Sequence, residues 1–383
     1  MSRAAGGGAP ARAHEVHREL VHWLNAQALP VWASQGFDER HGCFQERLTP
    51  AGPVPGDARR ARVQVRQVYV FANAPALGWP GPAAALVAAG LGHFLRHYRR
   101  SDGLFRTLCA ADGMALDERA FLYDQAFVLL ALAESRKVLG ARADLAPQAL
   151  GLLDALQRLL RRTGPGFESG LPERTPLLAN PHMHLLEAAL AWCEAGQDPG
   201  WRALVEEITA LALTRLIDPA SGALLERFGE DWRPLPVAQG QVVEPGHLFE
   251  WSWLLQRVGG AAALAAARRL VELGERHGVR GGVVLNELNP DLTLHDPGAR
   301  LWPQTERLKA NARLAVRAPE HWPAALEAAQ ALQRYLAGPA PGLWYDRLSP
   351  AGQFLEEPAP ASSLYHIVCA IAEFGAALAV DAG

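Results

Sequence analysis

Hydrophobic residues recur at the i, i+3, i+4 spacing of α-helices in twelve segments of this chain. Short stretches with glycine or proline separate the two members of most pairs of segments, and longer connections separate successive pairs. Turn residues and alternating apolar positions in the longer connections predict small β-hairpins. The predicted helices span residues 13–34, 63–77, 82–99, 119–139, 145–162, 180–195, 200–216, 244–258, 260–278, 300–316, 321–336 and 361–380.

A glycine-headed loop motif recurs six times along the chain, at intervals of 56 to 63 residues. Each copy continues with apolar or aromatic residues and usually with a charged residue. This period is longer than the roughly 33–47 residues of open helical solenoids, and six copies allow a ring to close. The pattern predicts an all-α fold, an (α/α)6 barrel of six helix pairs with short β-hairpin loops at the mouth of a central site. The motif glycines are Gly42, Gly103, Gly166, Gly222, Gly282 and Gly342.

The repeat units run nearly end to end, so we expect a single domain over residues 13–383. Glycine and alanine dominate residues 1–12, which we expect to form a disordered tail without the apolar core of a signal peptide. Closure of the ring requires the segment at 361–380 to pack beside the segment at 13–34.

Composition excludes several classes of protein. The net charge of −3 provides no basic field for nucleic acid or an anionic membrane, and no apolar run approaches the roughly 20 residues that span a bilayer. Four cysteines lie far apart without a CxxC pair, which argues against zinc or disulfide frameworks and favours a cytoplasmic location. We expect a monomer or homodimer with a small-molecule partner.

Polar and aromatic residues occupy the start of the first helix of each pair, where apolar residues would be less costly to bury. Six of them lie 18 to 25 residues after their own motif glycine, so a closed ring would bring them to one mouth. An arginine in the apolar run at 63–72 is expected to be paired or to face a cavity. The six residues are Arg66, Tyr123, His184, His247, Glu306 and His366.

Local spacings add to this set. Asn180 and His184 are separated by four residues, and His247 and Glu250 by three, so each pair shares one face of a helix. A carboxylate one turn from an imidazole can orient it and raise its pKa. Trp302 lies at the mouth position of its unit, where an aromatic face suits stacking on a pyranose ring.

Two other interpretations of the histidines remain open. Each could be a hydrogen-bonded core residue, or the three mouth histidines with Glu250 could hold zinc or iron. The pair at His182 and His184 is not a strong helical metal spacing, and His182 points elsewhere on a helix. We therefore expect no metal and no cofactor.

The segments that carry these residues resemble the N-acylglucosamine 2-epimerase superfamily, which includes mannose isomerases and cellobiose 2-epimerases. The resemblance runs in order through nearly the whole chain, at residues 62–71, 122–127, 180–188, 244–251 and 363–366. It implies the (α/α)6 fold and metal-free chemistry, with His247 and His366 as the acid/base pair. It implies that the sugar is bound or oriented by Arg66, Tyr123, Asn180, His184, Glu250, Trp302 and Glu306.

The resemblance implies that a histidine removes the C2 proton of a ring-opened sugar to give a cis-enediolate. Return of the proton to C1 gives a ketose, and return to the opposite face of C2 gives an epimer. The run at 64–71 and the compact length look most like the mannose isomerase branch. The expected function is interconversion of D-mannose and D-fructose, or of related free aldoses such as lyxose. The chain has no P-loop motif for phosphate, which favours a free sugar, but Arg47, Arg106 and Arg227 at the mouth leave a phosphosugar open. A sugar 2-epimerase is the alternative.

Two further classes of function are compatible with the sequence. An (α/α)6 barrel can be a glycoside hydrolase, for which Glu250 with Glu306 or Asp124 could supply the two carboxylates. A non-catalytic sugar-binding protein would bind without turnover.

Overall fold

The computed structural model describes residues 8–140, 145–196 and 199–381, and thirteen α-helices lie in those ranges. A π-helical turn at Leu24–Ala28 joins the first two into one continuous segment. The helices are α1 (Gly8–Trp23), α2 (Leu29–Ser34), α3 (Ala61–Asn73), α4 (Ala83–His97), α5 (Leu122–Leu139), α6 (Leu145–Leu159), α7 (Ala179–Ala195), α8 (Pro199–Leu211), α9 (Pro245–Val258), α10 (Ala261–Gly278), α11 (Leu301–Ala315), α12 (Trp322–Leu336) and α13 (Ser362–Asp381).

The helices form two concentric rings. The inner ring runs α3, α5, α7, α9, α11 and α13, and α13 contacts α3 again to close it. Inner helices are buried on all sides, as α9 shows, where every residue from Pro245 to Gln256 is buried. Outer helices are amphipathic, and α12 buries Trp322, Ala325, Ala329 and Leu332 on one face. The predicted (α/α)6 barrel is confirmed.

The first and last segments complete the sixth pair, as expected from the repeat. The imidazole Nε2 of His17 on α1 lies 3.1 Å from the carbonyl oxygen of Ile371 on α13. The edge of the same ring packs against Phe374 at 5.7 Å. Trp32 stacks on Trp344 of the sixth motif loop at 5.0 Å, so the loop is also anchored to the first segment.

Most predicted helix boundaries are within a few residues of the observed ones, and three expectations need correction. Helix α1 begins at Gly8, so residues 8–12 are not a tail, while residues 1–7 lie outside the described ranges. Residues 119–121 do not belong to α5, because Ala120–Phe121 is extended and pairs with Gly170–Leu171. The chain does contain an apolar stretch long enough to cross a membrane, at residues 362–380 of α13, contrary to the expectation that no run approaches that length. Helix α13, however, is a largely buried inner helix.

Short strands occupy the connections before and between the helices. They are β1 (Phe37–Asp38), β2 (Cys43–Phe44), β3 (Arg47–Thr49), β4 (Gly52–Pro53), β5 (Arg59–Arg60), β6 (Leu108–Cys109), β7 (Ala115–Asp117), β8 (Ala120–Phe121), β9 (Gly170–Leu171), β10 (Leu177–Leu178), β11 (Arg227–Phe228), β12 (Val279–Arg280), β13 (Val283–Val284), β14 (Glu287–Leu288), β15 (Leu294–Asp296), β16 (Ala299–Arg300), β17 (Arg347–Leu348) and β18 (Ala359–Pro360).

The strands link neighbouring repeat units around the mouth. Hairpins form within the loops, as predicted, for example β3–β4, β6–β7 and β14–β15. In addition, the strand before each inner helix pairs antiparallel with the motif loop of the next unit, as in β5–β6, β8–β9 and β10–β11. The pairings β16–β17 and β18–β3 and a bridge between Val243 and Leu288 complete the circle.

Glutamines near the start of three inner helices hold the motif loops. The side-chain amide of Gln64 accepts from the N–H of Phe44 and donates to its carbonyl, both at 2.8 Å. Gln125 and Gln304 make the same two contacts with residues twenty positions earlier in their own loops. These clamps fix each loop against its inner helix, which holds the residues at the mouth in a common phase.

We predict that Gly342→Ala destabilises the fold more than Gly42→Ala. Both glycines have positive φ, +79° and +72°, which costs roughly 1–2 kcal/mol with a side chain. A Cβ at Gly342 would also meet the carbonyl oxygen of Gln27 at 2.5 Å, whereas a Cβ at Gly42 meets nothing within 4 Å. The collision should cost about 1–3 kcal/mol more. Urea unfolding of both variants measures this, and equal losses would contradict tight closure at Gln27.

Candidate active site

A cavity of about 200 Å³ opens at the N-terminal ends of the inner helices. Its wall residues lie at positions two to six of those helices or immediately before them. Eight of the nine predicted site residues contribute to it, together with two that sequence reasoning missed, Glu244 and Arg300. The lining consists of Arg66, Tyr123, Asn180, His184, Glu244, His247, Glu250, Arg300, Trp302 and His366.

Each of the three cavity histidines has a buried glutamate behind it. In every case the imidazole Nδ1 lies within hydrogen-bond distance of a carboxylate oxygen, which leaves Nε2 as the nitrogen available on the cavity side. The pairs are His184–Glu187 at 3.0 Å, His247–Glu226 at 2.9 Å and His366–Glu306 at 2.8 Å. A carboxylate at Nδ1 fixes the orientation of the ring and, for a neutral ring, its tautomer.

His247 is the protonated histidine of the three. Burial alone would lower its pKa, but Glu226 and Glu244, with oxygens 2.9 and 3.9 Å from Nδ1, outweigh burial and raise the pKa to about 10. Its Nε2 lies 3.2 Å from the amide nitrogen of Asn180. A protonated ring donates from Nε2, so the side-chain amide of Asn180 must be flipped to present Oδ1 as the acceptor. The flip also gives a hydrogen-bond partner to Oδ1, a buried atom that otherwise has none.

His366 and His184 are neutral near pH 7. Burial lowers the pKa of His366 well below its usual range, and the positive charges of Arg66 and Lys309 act in the same direction. Burial also lowers the pKa of His184 to about 4, although its bond to Glu187 opposes the shift. The cavity therefore contains an imidazolium and neutral imidazoles at the same pH, as a general acid and a general base require.

Arg66 is a buried cation enclosed by aromatic rings. Its guanidinium carbon lies 4.2 Å from the ring centre of Phe127 and 5.2 Å from that of Tyr365, and Nη2 donates to the hydroxyl of Tyr123 at 2.6 Å. No carboxylate lies within ion-pair distance of it among the described residues. A cation without a counter-ion, in a site shielded from water, can stabilise a developing oxyanion.

Trp302 forms the wall between the two histidines that the sequence assigns to acid/base chemistry. Its ring centre is 5.0 Å from that of His247 and 5.7 Å from that of His366. Gly246 makes this packing possible, because a Cβ there would lie 2.4 Å from the indole. Arg300 covers the same indole at 5.5 Å.

Glu250 does not orient His247, contrary to the expectation from their spacing. Its Oε1 lies 4.0 Å from Nδ1 of His184 and has no hydrogen-bond partner in the described structure. Burial and the nearby charge of Glu306 raise the pKa of Glu250 well above its usual range. A neutral carboxyl at this wall can donate a hydrogen bond to a sugar hydroxyl as well as accept one.

Glu306, predicted to bind the sugar, does not line the cavity and lies behind His366. Glu226 and Glu187 were missed as partners, although Glu226 is one of the two charged residues of its own motif copy and Glu187 follows His184 by three residues. His182 does not line the cavity, as expected from its spacing to His184, and its Nε2 accepts from the N–H of Phe167 in the motif loop, much as the glutamine clamps do.

Imidazole and carboxylate atoms approach one another closely enough here to suggest a metal centre. Each such group, however, contains one of the hydrogen bonds between an imidazole Nδ1 and a glutamate oxygen described above. Proton sharing accounts for their closeness, and metal-free chemistry stays a prediction.

A second cavity of about 510 Å³ adjoins the first and shares Tyr123 and Asn180 with it. Arg62, which also lines it, is ion-paired with Asp124 at 3.3 Å. A group that extends from the first cavity past Tyr123 and Asn180 would enter this space.

Comparison with known proteins agrees with this geometry. The family model for N-acylglucosamine 2-epimerase matches residues 42–370. A protein of Rhizobium meliloti (strain 1021) named mannose-6-phosphate isomerase is 46% identical over 372 residues, which cover 93% of this chain and 95% of the relative. A D-mannose isomerase of Thermobifida fusca is 30% identical over 262 residues, or 62% of each chain.

The fold has close structural counterparts as well. The structure of cellobiose 2-epimerase from Spirochaeta thermophila DSM 6192 matches with a TM-score of 0.87 at 22% identity, over 97% of this chain and 98% of the other. At that identity the likeness establishes the shared barrel, while the family model and the Rhizobium relative establish descent. The chain belongs to the N-acylglucosamine 2-epimerase family.

Proposed function

We propose that the protein is an aldose–ketose isomerase that interconverts D-mannose and D-fructose through a cis-enediolate. Family membership makes it an enzyme of the sugar isomerase and epimerase class, which leaves the hydrolase and non-catalytic alternatives without support. The observation that carries the proposal is the placement of His247 and His366 on either side of Trp302 in one cavity, each with a glutamate oxygen at Nδ1. His247 holds a proton near pH 7, and His366 does not.

The proposed reaction begins with the open-chain aldose, whose C1 carbonyl acidifies the C2 proton. Nε2 of His366 removes that proton as the general base, and the protonated His247 donates to the carbonyl oxygen. Arg66 stabilises the charge that develops on the oxygens. His366 then returns the proton to C1 while the C2 hydroxyl gives its proton back to His247, so the aldose becomes a ketose and both histidines regain their starting states.

The names of two relatives support an isomerase over an epimerase, since both are called mannose or mannose-phosphate isomerases. An epimerase would use the same pair but would deliver the proton to the opposite face of C2. The acid/base geometry is compatible with both outcomes, so the partition between them has to be measured.

A phosphorylated mannose is the second candidate substrate, because the Rhizobium relative is named for it. Arg62 beside the second cavity and Arg300 at the wall are the cations that could meet a phosphate, but each is paired with a carboxylate, at 3.3 and 3.2 Å. Arg66 is needed at the reacting end. We therefore favour the free sugar.

We predict that NMR of the protein with D-mannose in D2O, with EDTA present, shows fructose and solvent deuterium at C1 or C2. Glucose appearing first would identify a 2-epimerase.

Mannose 6-phosphate should turn over less efficiently than mannose. If the phosphosugar is preferred, Arg62→Gln should raise its KM about tenfold while leaving that for mannose unchanged, as expected when an arginine–phosphate contact is lost.

We predict that His366→Gln and His247→Gln each lower kcat at least about 100-fold, the usual scale of general acid/base groups. Circular dichroism and melting temperature should show an intact fold. His182→Gln is a matched control, because glutamine occupies the same clamp position in three other repeats. Near-normal turnover in either cavity variant would remove that histidine from the mechanism.

We predict a broad plateau of kcat/KM between the depressed pKa of His366 and the pKa of His247 near 10. Activity needs His247 protonated, so it falls as the pH rises through that upper value. Glu226→Gln removes the nearest charge that raises this pKa, so the basic limb should move to lower pH by about one unit or more. An unchanged basic limb would show that His247 is not the group that titrates.

A further inference from the structure

Only two lysines occur in this chain of 383 residues, and one of them lies in the barrel beneath the catalytic cavity. Lys309 on α11 is fully buried, and it is not among the residues that line the cavity. Its Nζ lies 2.6 Å from Oε2 of Glu306 and 3.7 Å from the ring centre of Trp253. The other lysine, Lys137, is half-exposed at the surface.

Lys309 is the positive member of a buried cluster of charges. Three carboxyl groups surround it, those of Glu306 on its own helix, Glu250 on α9 and Glu187 on α7, and all three residues are at most 2% exposed. Burial alone would lower the pKa of Lys309, but Cys369, Glu306, Glu250 and Glu187 together outweigh burial and raise it, so the amine stays protonated. From α13, burial raises the pKa of the Cys369 thiol to about 12, so that residue adds no charge near pH 7.

Glu306 connects the lysine to the catalytic histidine. Its Oε2 faces Lys309 at 2.6 Å, and its Oε1 lies 2.8 Å from Nδ1 of His366. Burial raises the pKa of Glu306, and Lys309 is the strongest influence that opposes the shift. The ammonium group is thus the counter-ion that favours a carboxylate at this position.

The protonation of Glu306 decides which nitrogen of a neutral His366 carries the proton. A carboxylate accepts from Nδ1–H, and Nε2 then keeps its lone pair on the cavity side. A carboxylic acid would instead donate to Nδ1, which would place the ring proton on Nε2. His366 could then no longer take a proton from the sugar. Besides Lys309 and the glutamates named above, Arg66 on α3 and His184 on α7 are the charged or titratable groups that act on the pKa of His366.

We propose that Lys309 is a positioning residue for catalysis, which holds Glu306 as a carboxylate and so keeps Nε2 of His366 free to act as the base. The inference rests on the proposed function of His366. Lys309 does not touch the sugar, so its effect belongs to kcat and to the pH profile rather than to KM.

The test is the pH profile of Lys309→Met against Lys137→Met, the same substitution at the only other lysine. In Lys309→Met, Glu306 loses its counter-ion but stays buried near the charge of Glu187, so it takes up a proton at higher pH. We expect kcat at pH 7 to fall at least about tenfold with KM nearly unchanged. The acidic limb should move to higher pH by about one unit or more, so activity recovers as the pH is raised.

Two further variants separate this effect from lost stability. Lys309→Arg keeps the charge, so its acidic limb should stay near that of the wild type even if the larger group lowers kcat. In a Glu306→Gln background, adding Lys309→Met should change kcat by less than about threefold at a pH above the acidic limb, where only the direct effect of Lys309 on the pKa of His366 is left. A wild-type pH profile in Lys309→Met, or multiplicative losses in the double variant, would overturn the proposal.

The wild-type protein supplies a measurement that needs no lysine variant. In 15N-histidine NMR, the signals of His366 can be assigned by their disappearance in His366→Gln, and their shifts report the tautomer. A proton on Nδ1 is expected, and one on Nε2 would overturn the proposal. If no sugar is turned over at all, the proposed function fails while this spectrum still decides whether Lys309 and Glu306 set the tautomer.

Discussion

A polar side chain on an inner helix of this barrel needs a partner inside the protein, because neighbouring helices surround it on every side. This constraint organises the site. Each cavity histidine is backed by a glutamate, and Glu306 is in turn paired with Lys309. On an exposed surface such ion pairs would contribute little to the free energy of folding. In the barrel they determine which ring carries a proton at neutral pH.

The different partners of the histidines give one cavity two kinds of proton-transfer group. His247 has two carboxylates near Nδ1 and holds its proton, while His366 has one carboxylate and two cations nearby and does not. Trp302 separates the two rings, and Arg66 provides positive charge without a carboxylate of its own among the described residues. The proposed acid, base and oxyanion stabiliser thus follow from where charges are buried.

Several features of the fold could be read from the sequence because they depend on local patterns. Helical periodicity located the helices, and the glycine motif indicated the number of repeats. The strand pairings between neighbouring units could not be read in this way. Each of those strands has only two or three residues, too few to show alternation. Most partners lie some fifty residues apart, as Arg59 and Cys109 do, and β18 pairs with β3 from the other end of the chain. The start of α1 was also placed too late, at residue 13 instead of Gly8.

The sequence by itself determined eight of the ten side chains that line the cavity, since their phase within each repeat is fixed by one helix and its own loop. Only the tertiary structure decided their charge states. The spacing on α9 suggested Glu250 as the partner of His247, but the partner is Glu226 from the loop before the helix. Glu306, expected to bind the sugar, instead lies behind His366, with its Oε1 near Nδ1 of that ring. A pKa depends on burial and on charges a few ångströms away, and most of those charges come from other helices and loops.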